Sequence, residues 1–126
     1  KFKMDFLTEN LNAKPGKFRP RLGFEKILNK FPDFGLCLDV SHAYCWTPFE
    51  TSRIIKKWKS RIKQVHFSAT FKQNDHLPLS VASKSFLKSI ESVKELDVPI
   101  VIEAEINDCS INNLQKEINL VKCFFK

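Results

Sequence analysis

Four residues in this chain are of the right types, at the right intervals, to hold a divalent cation: Glu9, Asp39, His66 and Glu103. Each closes a short apolar run that reads as a strand, and successive members lie 30, 27 and 37 residues apart. Side chains alternate along a strand, so each shares a face with the residue two before it: Leu7, Cys37, Gln64 and Val101. One ionisable residue at a strand end is commonplace, but four at the same level is a pattern. Carboxylates gathered within a few ångströms repel unless a cation sits among them. A ligand set of oxygen and nitrogen suits Mn²⁺, Mg²⁺, Co²⁺ or Zn²⁺ better than a thiolate-preferring metal.

The most concentrated stretch is Gly35-Leu36-Cys37-Leu38-Asp39-Val40-Ser41-His42-Ala43-Tyr44. It begins as a buried strand, and Asp39 falls where the apolar run stops. His42 follows in the expected loop. A carboxylate and an imidazole leaving one strand end together can share a metal, or a metal and its ligand. Taken alone, the stretch reads equally well as a strand ending in an Asp turn with a surface His nearby.

The elements that must position these residues follow from periodicity. Strands are expected at Lys3 to Glu9, Phe34 to Asp39, Ile62 to Phe67 and Val98 to Glu103. Asn10 to Arg21 reads as a basic loop punctuated by Pro15, Gly16 and Pro20, and Leu22 to Lys30 as a helix. Val40 to Trp46 reads as loop. Thr47-Pro48-Phe49-Glu50 has the composition of a helix start, with Thr47 to cap and Pro48 in the first turn. That helix continues through Ile54, Ile55 and Trp58, with Arg53, Lys56, Lys57 and Lys59 on a solvated face. A polar loop containing Asn74-Asp75-His76-Leu77-Pro78-Leu79 precedes a third helix, Ser83 to Leu96. A fourth helix runs from Ser110 to Phe124, with Ile111, Leu114, Ile118 and Val121 as its apolar stripe. Strands alternating with helices imply an α/β fold, one parallel sheet with right-handed crossovers. An eight-unit (β/α)8 barrel averages about 31 residues per unit, close to the spacing of the four residues.

The chain of 126 residues is expected to be one partial domain, 1–126. Its net charge of +7 permits anionic partners and identifies none, because the lysines are spread rather than blocked. Cys37, Cys45, Cys109 and Cys123 form no C-x-x-C pair and read as reduced thiols of a cytoplasmic protein. No apolar run approaches the roughly 18 residues of a membrane span, so no membrane partner is expected. The chain starts at Lys1, directly in a strand-like run, which reads as a fragment or processed piece.

Thr8-Glu9-Asn10-Leu11, Gly35 to Ala43, Val65-His66-Phe67-Ser68, Asp75-His76-Leu77-Pro78-Leu79 and Val101-Ile102-Glu103 occur in that order. Together they resemble the xylose isomerase-like, divalent-metal TIM barrels. That superfamily holds sugar and sugar-phosphate isomerases and epimerases, and also endonuclease IV-type (AP endonuclease family 2) repair enzymes. The resemblance covers nearly the whole chain and matches units five to eight, so it implies a (βα)4 half-barrel, the C-terminal half of a TIM barrel. It implies that Glu9, Asp39, His66 and Glu103 bind metal. In the sugar branch the residue matching His42 contacts substrate, and in the endonuclease branch it is a ligand beside a D-x-H pair. Here Asp75 and His76 are adjacent, a departure that counts against a full trinuclear site. The stretch after D-H-L-P-L, Ser80-Val81-Ala82-Ser83, lacks the glycine usual there.

Two activities follow from the resemblance. The first is a sugar or sugar-phosphate isomerase or epimerase, in which Glu9 and Glu103 move a proton beside a metal-bound carbonyl. His42, Asp75 and His76 would contact substrate, Lys17 and Arg19 of the basic loop would meet its phosphate, and Trp46 would stack on it. The second is cleavage of DNA at abasic sites, which the positive charge favours. A UV-damage endonuclease fits less well, because Gln64 stands where that group resembles a Lys. A third, non-enzymatic reading is a split half-barrel, inactive until joined by a missing N-terminal half or by a second copy.

Overall fold

A computed structural model describes residues 5–12, 20–72, 74–106, 108 and 110–126. The expected ligands of substrate phosphate, Lys17 and Arg19, lie outside the described residues, as do Lys14, Cys109 and the beginning of the first expected strand. The chain is α/β, built on a parallel sheet of four strands. The strands are β1 (Leu7–Glu9), β2 (Gly35–Asp39), β3 (Ile62–Phe67) and β6 (Ile100–Ile102), side by side in that order. Each pair is parallel, and Asp39 stands opposite His66 in the β2–β3 register.

Helix α1 (Pro20–Lys30) starts two residues before the expected Leu22, with Pro20 at the first helical position, where a missing N–H costs nothing. Residues 40–46, expected as loop, form α2 (Val40–Trp46) instead. The cause is Asp39, whose side chain accepts from the His42 backbone N–H and caps a helix that begins at the next residue. Helix α3 (Glu50–Trp58) starts later than Thr47, whose hydroxyl accepts from Phe49 N–H in the turn before it. Its buried face is Ile54, Ile55 and Trp58, and its lysines are solvated as expected.

The expected polar loop after β3 is an antiparallel hairpin, β4 (Ala69–Phe71) and β5 (Asn74–Leu77). The expected third helix is shorter: α4 (Lys84–Ser89), capped by Ser83, gives way at Ile90 to a tighter 3₁₀ turn over Glu91–Glu95. Helix α5 (Ile111–Phe124) matches the expected fourth helix, with Ser110 outside it as the cap, its hydroxyl accepting from Asn113 N–H. Its expected apolar stripe is only partly buried. Ile111 is 83% exposed, and the helix faces the core through Glu117 and Val121. Glu117 Oε1 accepts from Leu79 N–H at 2.6 Å, so this buried carboxylate docks α5 onto the turn after the hairpin.

The core lies between the sheet and these helices. Leu36, Leu38, Val65 and Phe67 come from the sheet, with Val40, Ala43, Ile54, Ile55, Phe86, Ile90 and Val93 packed against them. Simple alternation places Ile62 on the face of Gln64 and His66. A register shift at Lys63 puts it opposite Leu36 and in the core. Among the described residues no helix is long and apolar enough to cross a membrane.

Candidate metal centre

The four strand-end residues meet at one end of the sheet. His66 Nδ1 lies 2.7 Å from Glu103 Oε2 and 3.7 Å from Glu9 Oε2. Ligand atoms of Glu9, Asp39 and His66 all lie within 4.8 Å of one another. The two inner residues come from the central strands, so Asp39 is fully buried, whereas the Glu9 and Glu103 side chains are 28% and 41% exposed. Glu103 sits just past β6, where its N–H donates to Phe67 O and continues the ladder. Two ligand atoms in this group are buried without a hydrogen-bond partner: Asp39 Oδ2 and His66 Nδ1. The His66 nitrogen is close to Glu103 but not in hydrogen-bond geometry with it, while its other nitrogen faces the Gln64 amide at 3.0 Å. Buried polar atoms are nearly always hydrogen-bonded; these two have ionic contacts instead, Asp39 Oδ2 with His42 Nδ1 at 3.6 Å and His66 Nδ1 with Glu103 Oε2 at 2.7 Å, and with Glu9 beside them the group fits a cation.

A second group adjoins the first through Asp39. His42 Nε2 lies 3.2 Å from His76 Nε2 and 3.3 Å from Asp75 Oδ2, and Asp75 Oδ2 lies 4.0 Å from His76 Nε2. Asp39, His42 and His76 again offer ligand atoms within 4.8 Å of one another. Adjacent residues on a strand point to opposite faces, which is why Asp75-His76 reads as a broken motif. His76 has φ +56°, in the left-handed region, and this turn of the backbone lets both neighbours reach the same cluster. Its carbonyl accepts from Glu105 N–H at 2.7 Å, tying the hairpin to the chain leaving β6.

Electrostatics follow from crowding. Burial holds the Asp39 carboxyl above the usual carboxylate range, against the pull of His42 and two hydrogen bonds. The hydrogen bond from His42 holds Glu9 below its ordinary value in spite of burial. Burial alone would depress His42, but the Glu9 and Asp39 carboxylates and the Asn10 carbonyl outweigh it and push the imidazole up to about 9. The Cys37 thiol is pushed up to about 12, first by burial and then by Glu9, Asp39 and Glu103, so it stays protonated beside the centre. Cys45, also raised by burial, contacts the Thr70 hydroxyl.

Trp46 is committed elsewhere: its indole N–H donates to Leu11 O, and its ring packs on Phe24 at 6.0 Å between centroids. Tyr44 packs edge-on against Phe86 in the core. Asn10 and Asn12 were not evident as site residues. Asn12 donates to Asp75 Oδ2, and Asn10 bonds the main chain of Asp39 on both sides. The sequence signal for Asn10 is its place directly after Glu9, within the Thr8-Glu9-Asn10-Leu11 stretch of the resemblance. No family model matches the chain, and no curated protein does either.

Proposed function

We propose that this protein is a divalent-metal isomerase or epimerase of sugars or sugar phosphates, with Glu9, Asp39, His66 and Glu103 as the ligands. The observation that carries the reading is the gathering of Glu9, Asp39 and His66 ligand atoms within 4.8 Å of one another, with Glu103 beside His66 and with Asp39 Oδ2 and His66 Nδ1 lacking a hydrogen bond. An ion of the Mn²⁺, Mg²⁺, Co²⁺ or Zn²⁺ type would supply Lewis acidity toward a carbonyl and its neighbouring hydroxyl. Glu9, kept ionised by His42, is the acceptor for the proton beside the carbonyl. Glu103 reaches the same space from the far edge and shares the transfer: the proton taken up by a glutamate is given back to the carbon skeleton from that same carboxyl group, so both glutamates end the cycle ionised. Asp39 and His66, held in the central strands, keep their positions.

The outer edges of β1 and β6, unpaired among the described residues, support a sheet that continues into a barrel of about eight strands. Parallel sheets are normally covered on both faces, and Leu7 and Val101 are 37% and 39% exposed. A preceding half-barrel or a second copy would cover them. The test is exchange of the proton beside the carbonyl with D₂O when sugar phosphates are incubated with the Mn²⁺-loaded protein. Glu103→Gln is expected to abolish exchange and turnover with the circular dichroism unchanged, and undiminished turnover in that variant refutes the assignment.

A second reading, metal-assisted phosphodiester hydrolysis at abasic sites in DNA, is favoured by one observation: His42, Asp75 and His76 converge beside the first group. Two or more ions can serve both the attacking and leaving oxygens of such a reaction. Counting bound ions by atomic absorption separates the readings. A single ion per chain supports isomerisation, and about three zinc ions with nicking of abasic DNA support hydrolysis.

A further inference from the structure

We propose that Asn10 is a positioning residue, a two-sided clamp that sets the Asp39 carboxylate and the His42 ring against Glu9. The proposal rests on the metal-binding reading above. The backbone pairing of β1 with β2 ends at Glu9 opposite Cys37. Two residues further, Asp39 turns from strand into helix, where a main chain is easily displaced. The Asn10 carboxamide takes over from the ladder: Nδ2 donates to Asp39 O at 2.8 Å, and Oδ1 accepts from Asp39 N–H at 2.9 Å. A carboxamide carries one donor side and one acceptor side, as a peptide group does, so it extends the sheet pairing by side chain. Asn10 is fully buried, and no water is needed to complete these bonds.

The main chain of Asn10 acts on the second residue. Its carbonyl lies 3.0 Å from His42 Nδ1. A carbonyl only accepts, so Nδ1 carries a proton, shared with Glu9 Oε1 at 3.1 Å. His42 Nε2 is thereby turned toward Asp75 and His76. One residue thus fixes the backbone that carries Asp39 and the orientation of the ring three positions on. Second-layer partners of this sort commonly change metal affinity by about 10- to 100-fold.

The test uses Asn10→Leu, which keeps the branching and heavy-atom count and loses both amide bonds, with the smaller Asn10→Ser as the second variant should the first not fold. Val93→Ala, a core truncation in the 91–95 turn, controls for general destabilisation. Two readouts are taken. In EDTA, amide hydrogen exchange at Asp39 is expected to accelerate at least about tenfold more than at Cys37 and Leu38 in the Asn10 variants, and equally at all three in Val93→Ala. With Co²⁺, the Asn10 variants are expected to bind about 10- to 100-fold more weakly with a shifted visible band, while Val93→Ala keeps the parental band. Uniform acceleration along β2, or a parental Co²⁺ affinity and spectrum in the Asn10 variants, overturns the proposal. Should the parent take up no Co²⁺, the metal reading fails, and the clamp on Asp39 is decided by the exchange difference alone.

Discussion

Replacing Asp39 by Asn is expected to stabilise the metal-free protein and, under the metal-binding reading proposed above, to leave it less stable than the parent once the ion is bound. Asp39 Oδ1 accepts from Ser41 Oγ at 2.9 Å and from His42 N–H at 2.7 Å, and an Asn oxygen serves equally well as that cap. Oδ2 is buried with no hydrogen-bond partner, so as a carboxylate oxygen it carries a desolvation cost of about 1–3 kcal/mol. Asn removes that charge. Against this stands the lost attraction of Oδ2 to His42 Nδ1, 3.6 Å away and likewise buried, but burial outweighs it, since the carboxyl is held above its ordinary range on balance. The net expectation in EDTA is a gain of about 1 kcal/mol, or roughly 2–8 °C in Tm. An ion at 100 times its Kd adds about 2.7 kcal/mol to the parent, and the variant, missing a central ligand, gains far less. The order of melting temperatures therefore reverses between EDTA and saturating Co²⁺, which circular dichroism melts read directly. The reasoning is refuted if Asp39→Asn melts below the parent in EDTA, or if both proteins gain equally from the metal.

The metal-free protein should also lose stability at alkaline pH. His42 has a folded pKa of about 9 against an ordinary 6.5, so its contribution is complete below about 6.5 and is lost as pH rises through about 9. Melting in EDTA is expected to drop between about pH 7 and pH 10, with a flatter profile in His42→Gln; parallel profiles would contradict the assignment. At His76 the left-handed backbone gives a different signature. His76→Val should destabilise by about 1–2 kcal/mol in urea unfolding, His76→Gly should not, and both should weaken any ion bound beside His42. Equal stability of the Val and Gly variants would remove strain from the account of how Asp75 and His76 come to face one cluster.

Local periodicity was enough for the α/β class, the four parallel strands and the level at which Glu9, Asp39, His66 and Glu103 end them, because alternation and strand length are properties of short segments. The extent of α5 and the solvated lysine face of α3 were legible for the same reason. The helix at residues 40–46 was not, since nothing in the spacing shows that the Asp39 carboxylate also caps the segment that follows it. Nor was the burial of Glu117, because its partner is the Leu79 amide, 38 residues away.

Sequence by itself determined which residue types stand at the strand ends, and so the class of cation they suit. Only the tertiary structure decided that their tips converge, that a positive φ at His76 gathers Asp75 and His76 beside them, and that Asn10 grips Asp39 across 29 residues. Pairing register, a left-handed backbone residue and a side chain standing in for a peptide group arise from contacts between distant segments, and no repeat or spacing in a linear chain encodes them.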